Sequence, residues 1–208
     1  MKSQDLILAC FYVFLAFYAG TNVFSPVRFD REKIEIDVTG AEIHVQGLYH
    51  YQNRLPLPVT FSLGLPFPVD TAHPAPASYS VTEIASDGSS IREILTRKYH
   101  GDVVFRLFFW PRREKWIRVD YLQQAALPNG RYILLTTRKW DRPLERGEYV
   151  LRLGDPSELA GSNYSLRKSL DGAVMRYSFE KENFLPSEDW VFSWRAAAPL
   201  IASRRDPR

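Results

Sequence analysis

The sequence predicts a mainly β protein: a single antiparallel β-sandwich of about ten strands, preceded by one N-terminal transmembrane helix. Three observations predict it. Residues 6–27 read LILACFYVFLAFYAGTNVFSPV, with no charged side chain. The remainder is a series of short segments in which apolar and polar residues alternate, the period of a half-buried strand. Gly, Pro and Asn separate those segments at positions that suit turns. The expected organisation is a membrane anchor or signal peptide over 1–27, a β-sandwich domain over 28–195, and a tail over 196–208 that ends in Arg-Arg-Asp-Pro-Arg.

A helix crossing hydrocarbon needs roughly 20 apolar residues, each adding about 1.5 Å to span a core near 30 Å. Residues 6–27 are long enough, although Gly20, Thr21, Asn22, Ser25 and Pro26 dilute the last third. Tyr12 and Tyr18 suit the interfaces, where amphipathic rings are favoured. The competing reading is a cleaved signal, with Lys2 as a minimal positive region and 6–19 as the apolar region. Cleavage after Ala19 or Gly20 would put Phe17 or Tyr18 where a small residue is wanted. The run Ile7-Leu8-Ala9-Cys10 has the look of a lipobox, but almost no apolar stretch precedes the cysteine, and Cys10 serves equally as a small apolar residue facing lipid. Lysines and arginines flank the segment almost evenly, so they do not orient it. A short tail before the anchor and a long domain after it favour an extracytoplasmic domain, in a bacterial periplasm.

The chain of 208 residues carries 27 basic and 24 acidic side chains, a net charge of +3. The charges are well mixed, without the concentrated basic stripe of a nucleic-acid binder. With 45% hydrophobic and 14% aromatic residues, it has the material for a real core. Cys10 is the only cysteine, which leaves the domain without a disulfide or a thiolate metal site.

The elements follow in order. Residues 33–38 alternate, with Ile34, Ile36 and Val38 on one face, and Thr39-Gly40 turns the chain. Residues 42–51 place Ile43, Val45, Tyr49 and Tyr51 together, and 58–65 place Val59, Phe61, Leu63 and Leu65 together. The proline-rich stretch 66–76 lacks the backbone donors of a sheet interior and belongs outside it. Residues 78–85 and 91–99 flank the turn Ser86-Asp87-Gly88 as a hairpin. After His100-Gly101-Asp102, residues 103–110 are nearly all apolar apart from Arg106, which predicts a strand covered on both faces. Residues 116–124 set Ile117, Val119 and Tyr121 against Trp116, Arg118 and Asp120. Pro128-Asn129-Gly130 is the clearest hairpin signal, with 131–137 expected to return on 116–124. Residues 148–153 make a short strand. Asp171-Gly172 joins 166–170 to 173–180, and 189–194 align Trp190, Phe192 and Trp194. No internal repeat is present.

The run Gly47-Leu48-Tyr49-His50-Tyr51-Gln52-Asn53, followed by a proline and an alternating strand, resembles the paired strands of extracytoplasmic bacterial immunoglobulin-like domains. The resemblance covers about twenty residues. It implies an adhesive, spacer or interaction module, carries over no catalytic residue, and lacks the Cys/Trp/Cys pattern of true immunoglobulin domains.

The catalogue of chemistry is short. His44, His50, His73 and His100 show no ligand spacing; His44 and His50 share a strand face but lie about 20 Å apart at 3.3 Å per residue, so no metal site is expected. There is no GxSxG, P-loop, GxGxxG or HExxH motif, and no cofactor is expected. Asn163-Tyr164-Ser165 is a three-residue glycosylation sequon of a kind that arises by chance. The sharpest surface signal is Trp110, Arg112, Arg113, Lys115 and Trp116, with Trp140 and Arg142 as a second group. Trp and Arg are enriched at binding hot spots because they combine large burial with oriented polar groups. The bland reading of the same stretch is two strands joined by a solvated turn. If that loop faces a membrane, its basic residues meet anionic headgroups instead.

The expected function is a non-catalytic, membrane-anchored accessory or assembly subunit of a larger complex, with other integral membrane subunits as partners and neither nucleic acid nor a small-molecule substrate. The alternative is a secreted or surface-anchored module that binds a ligand, carbohydrate for instance, through Trp110, Trp116 and Trp190. A third reading is a hydrolase whose site assembles only in three dimensions.

Overall fold

A computed structural model describes residues 25–99, 101–140, 142–154, 157–172 and 174–196. Within them lie fourteen strands and one 3₁₀ helix. They are β1 (Val27–Thr39), β2 (Glu42–Asn53), β3 (Val59–Leu65), β4 (Ser78–Ile84), β5 (Ser90–Glu93), β6 (Thr96–Tyr99) and β7 (Asp102–Phe109), then β8 (Glu114–Gln124) and β9 (Asn129–Tyr132). The 3₁₀ helix Leu135–Trp140 follows, and then β10 (Leu144–Leu153), β11 (Ser157–Ser162), β12 (Arg167–Asp171), β13 (Val174–Phe184) and β14 (Trp190–Ala196). The fold is mainly β, in open sheets.

One sheet holds eight strands in the order β12-β13-β10-β1-β2-β8-β4-β5; two sheets of three strands run β11-β14-β9 and β3-β7-β6. Alternation fixes which face of the large sheet is dry. Ile34, Ile36 and Val38 stand opposite Gly47, Val45 and Ile43 on β2, and Tyr149 and Leu151 stand opposite Ile34 and Ile36 on β10. The same core takes in Leu63, Val103, Phe105 and Leu107 from one small sheet and Trp190, Phe192 and Trp194 from the other. Trp190 meets Tyr149 and Phe179 edge-on, at 6.1 and 5.1 Å between ring centroids. The opposite face of the large sheet is charged: Arg152 reaches Glu35, Asp37 and Asp171 from there. Each side chain's face therefore follows from its parity along the strand.

The alternating faces read from sequence on residues 33–38, 42–51, 58–65, 116–124 and 189–194 are present. Gly40, Gly88, Gly101 and Gly172 have positive φ at the four expected turns, where a side chain would be strained. Other expectations are corrected. The large sheet is not wholly antiparallel, because β1 and β10 run parallel. Residues 91–99 are two strands: β5 pairs with β4 in the large sheet and β6 with β7 in a small one, with Ile94 and Leu95 carrying the chain across. The strand over 103–110 is buried on one face only, with Arg106 and Phe108 exposed. Asn129-Gly130 does not form a hairpin onto β8. Both residues lie in β9, which pairs with β14, and the Phe192 ring covers Gly130 so closely that a Cβ there would lie 2.4 Å from it. β11 had no alternation signal.

The apolar segment 6–27 lies outside the described residues apart from Ser25, Pro26 and Val27, and Val27 is buried at the start of β1. Among the described residues no helix is long and apolar enough to cross a membrane. Residues 197–208 also lie outside.

Candidate functional site

The candidate site grows from one acidic residue of the right parity in β1. Glu32 faces the same side as Ile34, so it points into the core. It stands opposite Tyr49 on β2 and opposite Gly147 on β10. Gly147 has no side chain, and the Tyr149 ring folds back over the space; a Cβ at Gly147 would lie 2.6 Å from the Tyr149 hydroxyl. That hydroxyl donates a hydrogen bond to Glu32 Oε1. β2 repeats the device, with the Tyr49 ring folded over Gly47. The Tyr49 and Tyr132 hydroxyls are 2.8 Å apart.

Burial dominates the electrostatics. Desolvation pushes the Glu32 carboxyl up to about 7, and the Tyr149 hydrogen bond only partly opposes it. Tyr49, Tyr51, Tyr121, Tyr132 and Tyr149 are all held above the ordinary phenol range, first by burial. The charge on Glu32 adds to the rise at all of these but Tyr121. At neutral pH the phenols are hydroxyl donors, and the carboxyl exchanges its proton close to pH 7.

Above this floor is a cavity of about 560 Å³. Glu32, Tyr49, Tyr51, Tyr121 and Tyr132 line it, together with β3 from Phe61 to Leu65 and the 3₁₀ helix at Thr136, Thr137 and Trp140. Its aromatic wall is continuous. Phe29 stacks on Tyr51 at 5.2 Å, and Trp140 lies 5.6 Å from Phe29, 5.7 Å from Tyr51 and 5.6 Å from Phe61. Ser62 and Lys139 also line it. A concave, largely apolar space with a few converging polar groups is the usual form of a small-ligand site.

A second polar cluster sits on the other face of the large sheet. A β-bulge between Phe29 and Arg31 brings buried Asp30 to 2.5 Å from buried His50, Oδ1 to Nδ1. Glu114 lies 3.3 Å from His50 Nε2, and Trp116 packs on the imidazole at 4.6 Å. A carboxylate and a histidine in this order orient a proton acceptor, but no serine, threonine or cysteine hydrogen-bonds to that histidine among the described residues. No three His, Cys, Asp or Glu groups converge as metal ligands among the described residues.

The residues singled out from sequence are dispersed. Trp110 is 63% exposed and stacks edge-on against Phe108. Arg112, with φ of 58°, and Arg113 are exposed on the β7–β8 turn. Lys115 is half-buried in an ion pair with Glu83. Trp116 covers His50. Trp140 alone joins the cavity, and Arg142 lies beside Arg28. Trp190 is fully buried, so a carbohydrate platform built on it does not exist. Reading from sequence missed Glu32 because the first strand was begun at Lys33, six residues after its true start at Val27. The signal was there: Glu32 continues the even-numbered apolar series of Ile34, Ile36 and Val38.

No protein-family model matches the chain, and no curated protein does. Solved structures do. A provisionally named nutrient binding protein from Legionella pneumophila is 16% identical with a TM-score of 0.66, over 81% of this chain and 67% of that one. An M1 zinc metallopeptidase from Deinococcus radiodurans is 10% identical with a TM-score of 0.46; the match covers 82% of this chain but only 43% of the peptidase. The Legionella likeness extends to the fold alone.

Proposed function

We propose that this chain is a non-catalytic binding module of sandwich type whose tyrosine-lined cavity holds a small polar ligand, and that the apolar segment between Leu6 and Ser25 keeps it at a membrane with the domain extracytoplasmic. The observation that carries the reading is the cavity itself. It pairs one buried carboxyl with several phenol donors and an aromatic wall, and no metal set adjoins it among the described residues. The shared fold with a protein named for nutrient binding accords with this reading. Carbohydrates, amino acids and amines all present groups that Glu32 and the tyrosines can meet. A thermal-shift screen of the full chain against those three classes tests it. A ligand should raise the melting temperature, and Tyr132→Phe should weaken that effect. A screen in which no member shifts the transition would count against the module.

A second reading, the accessory subunit of a membrane complex, draws on a different observation. Leu95 is 95% exposed and Tyr99 65% exposed, beside a groove that Arg97 and Arg106 also line. Exposed apolar surface with a polar rim is a mark of protein contacts. Mild-detergent purification from native membranes distinguishes the two: a stoichiometric complex supports this reading, and a lone chain opposes it.

A further inference from the structure

Two turns meet the start of β1 at one end of the domain. The Arg54 amide donates to Pro26 O at 2.8 Å and the Arg112 amide to Leu55 O at 3.1 Å. The fully buried Asn53 side chain donates to Leu57 O at 2.7 Å and to Trp110 O at 3.0 Å. Residues 25–28, 53–57 and 110–113 therefore lie side by side. Arg28, Arg54 and Arg142 line one small recess here with Ser25 and Trp140. The Arg54 guanidinium is pushed below its ordinary range, by burial first and then by Arg142, Arg28 and Arg112. Arg113 stands exposed on the same turn as Arg112.

Among the described residues, three carboxylates stand near these arginines. Glu145 pairs with Arg28 at 2.6 Å and lies 3.8 Å from Arg31. Glu182 lines the groove that Arg28 and Arg142 share. Glu114 faces His50. Arg28 Nε is buried without a hydrogen-bond partner among the described residues. Two large apolar side chains stand out of the same end, Trp110 at 63% and Leu57 at 62% exposure.

We propose that this end docks on an anionic lipid surface, with Arg112, Arg113 and Arg142 meeting headgroup phosphates while Trp110 and Leu57 enter the interface. The match is one of chemistry. Guanidinium forks suit phosphate oxygens, and an amphipathic indole is favoured at headgroup depth. Chain length favours a bilayer over another anionic partner. The inference rests on the proposed anchor: the roughly 20 residues that a crossing needs, counted from Leu6, end where the described domain begins at Ser25. A domain tethered that closely at Ser25 presents its arginine end first.

The test reconstitutes the full chain in bilayers of phosphatidylcholine alone, and in bilayers with added phosphatidylglycerol, both carrying a headgroup spin-labelled lipid. The readout is the part of the tryptophan quenching that Trp110→Phe removes. Docking predicts that this part appears in anionic bilayers and falls severalfold in about 0.5 M salt, which shortens the Debye length well below 10 Å. It should also fall severalfold in the variant Arg112→Gln/Arg113→Gln/Arg142→Gln. Equal Trp110 quenching in both bilayers, or none in either, overturns the proposal. Alkaline carbonate extraction of the same samples reports on the anchor separately. A chain that is extracted refutes the anchor; if its free form still partitions only onto anionic vesicles, the arginine surface stands, and if it ignores them the surface falls too.

Discussion

The Tyr149 hydroxyl donates to the Glu32 carboxyl across a parallel strand pair, through the gap left by Gly147. This places a titratable group inside the core, and the sign of its pH effect follows. The carboxyl rises from 4.5 when unfolded to about 7 when folded, so between those values the folded state holds the proton more tightly. Its contribution is fully present below about pH 4.5 and is lost as pH rises through 7. The shift amounts to about 3 kcal/mol at 1.36 kcal/mol per pKa unit. Glu32→Gln should flatten the fall in stability from pH 5 to pH 8, as read by urea denaturation at a series of pH values. A variant that keeps the wild-type slope would mean that another group titrates there.

The glycine beneath that tyrosine gives a second prediction. A methyl at residue 147 meets the Tyr149 ring at 2.6–3.0 Å, too close for any real Cβ contact. Gly147→Ala should cost about 1–3 kcal/mol by overpacking and swing the tyrosine off Glu32. Gly64→Ala is the control, because a Cβ at residue 64 has nothing within 4 Å. Chemical denaturation of the two variants should separate them by at least about 1 kcal/mol; equal midpoints would show that the ring yields freely.

The faces of the strands were legible because each depends only on local alternation. Ile34, Ile36 and Val38 announce their face with no knowledge of their neighbours. What pairs with what was less legible. Asn129-Gly130 carries the chemistry of a hairpin turn, yet it is recruited as a strand under Phe192, a contact with a residue 62 positions away. The break at Ile94 and Leu95 was invisible for a related reason, since both halves of 91–99 are extended and only their partners differ. The cavity needs side chains from β1, β2, β3, β8, β9 and the 3₁₀ helix. No sequence window holds that set, and Glu32 looked like an ordinary charge at a strand's start.

Asn53 offers a third prediction. It is fully buried, donates to the carbonyls of Leu57 and Trp110, and accepts from the Leu55 amide at 2.9 Å. Its removal strands two carbonyls and an amide, each worth about 1–3 kcal/mol if buried. Asn53→Ala should cost about 3 kcal/mol, with Asn53→Asp less benign than its shape implies because a carboxylate cannot donate to the two carbonyls. Amide exchange should quicken first at Leu55, Leu57, Arg112 and Arg113. Unchanged exchange in those turns would remove Asn53 as their tie.

The Asp30–His50 pair supplies the last prediction, and it separates a structural role from a chemical one. Both groups are buried on the charged face of the sheet, with the Trp116 ring over the imidazole. Removing Asp30 strands the buried His50 Nδ1 and leaves only the exposed Glu114 carboxylate beside the ring, at about 3 kcal/mol. Asp30→Leu should therefore destabilise strongly. Asp30→Leu with His50→Leu should recover at least half of that loss, because no polar group is then left stranded. The measurement is a double-mutant cycle from denaturation midpoints. Recovery in the double variant, with ligand binding in the cavity intact, identifies the pair as a clamp on the β1 bulge. A double variant as unstable as the single one would mean that the bulge itself depends on Asp30, since replacing both groups would then have relieved nothing.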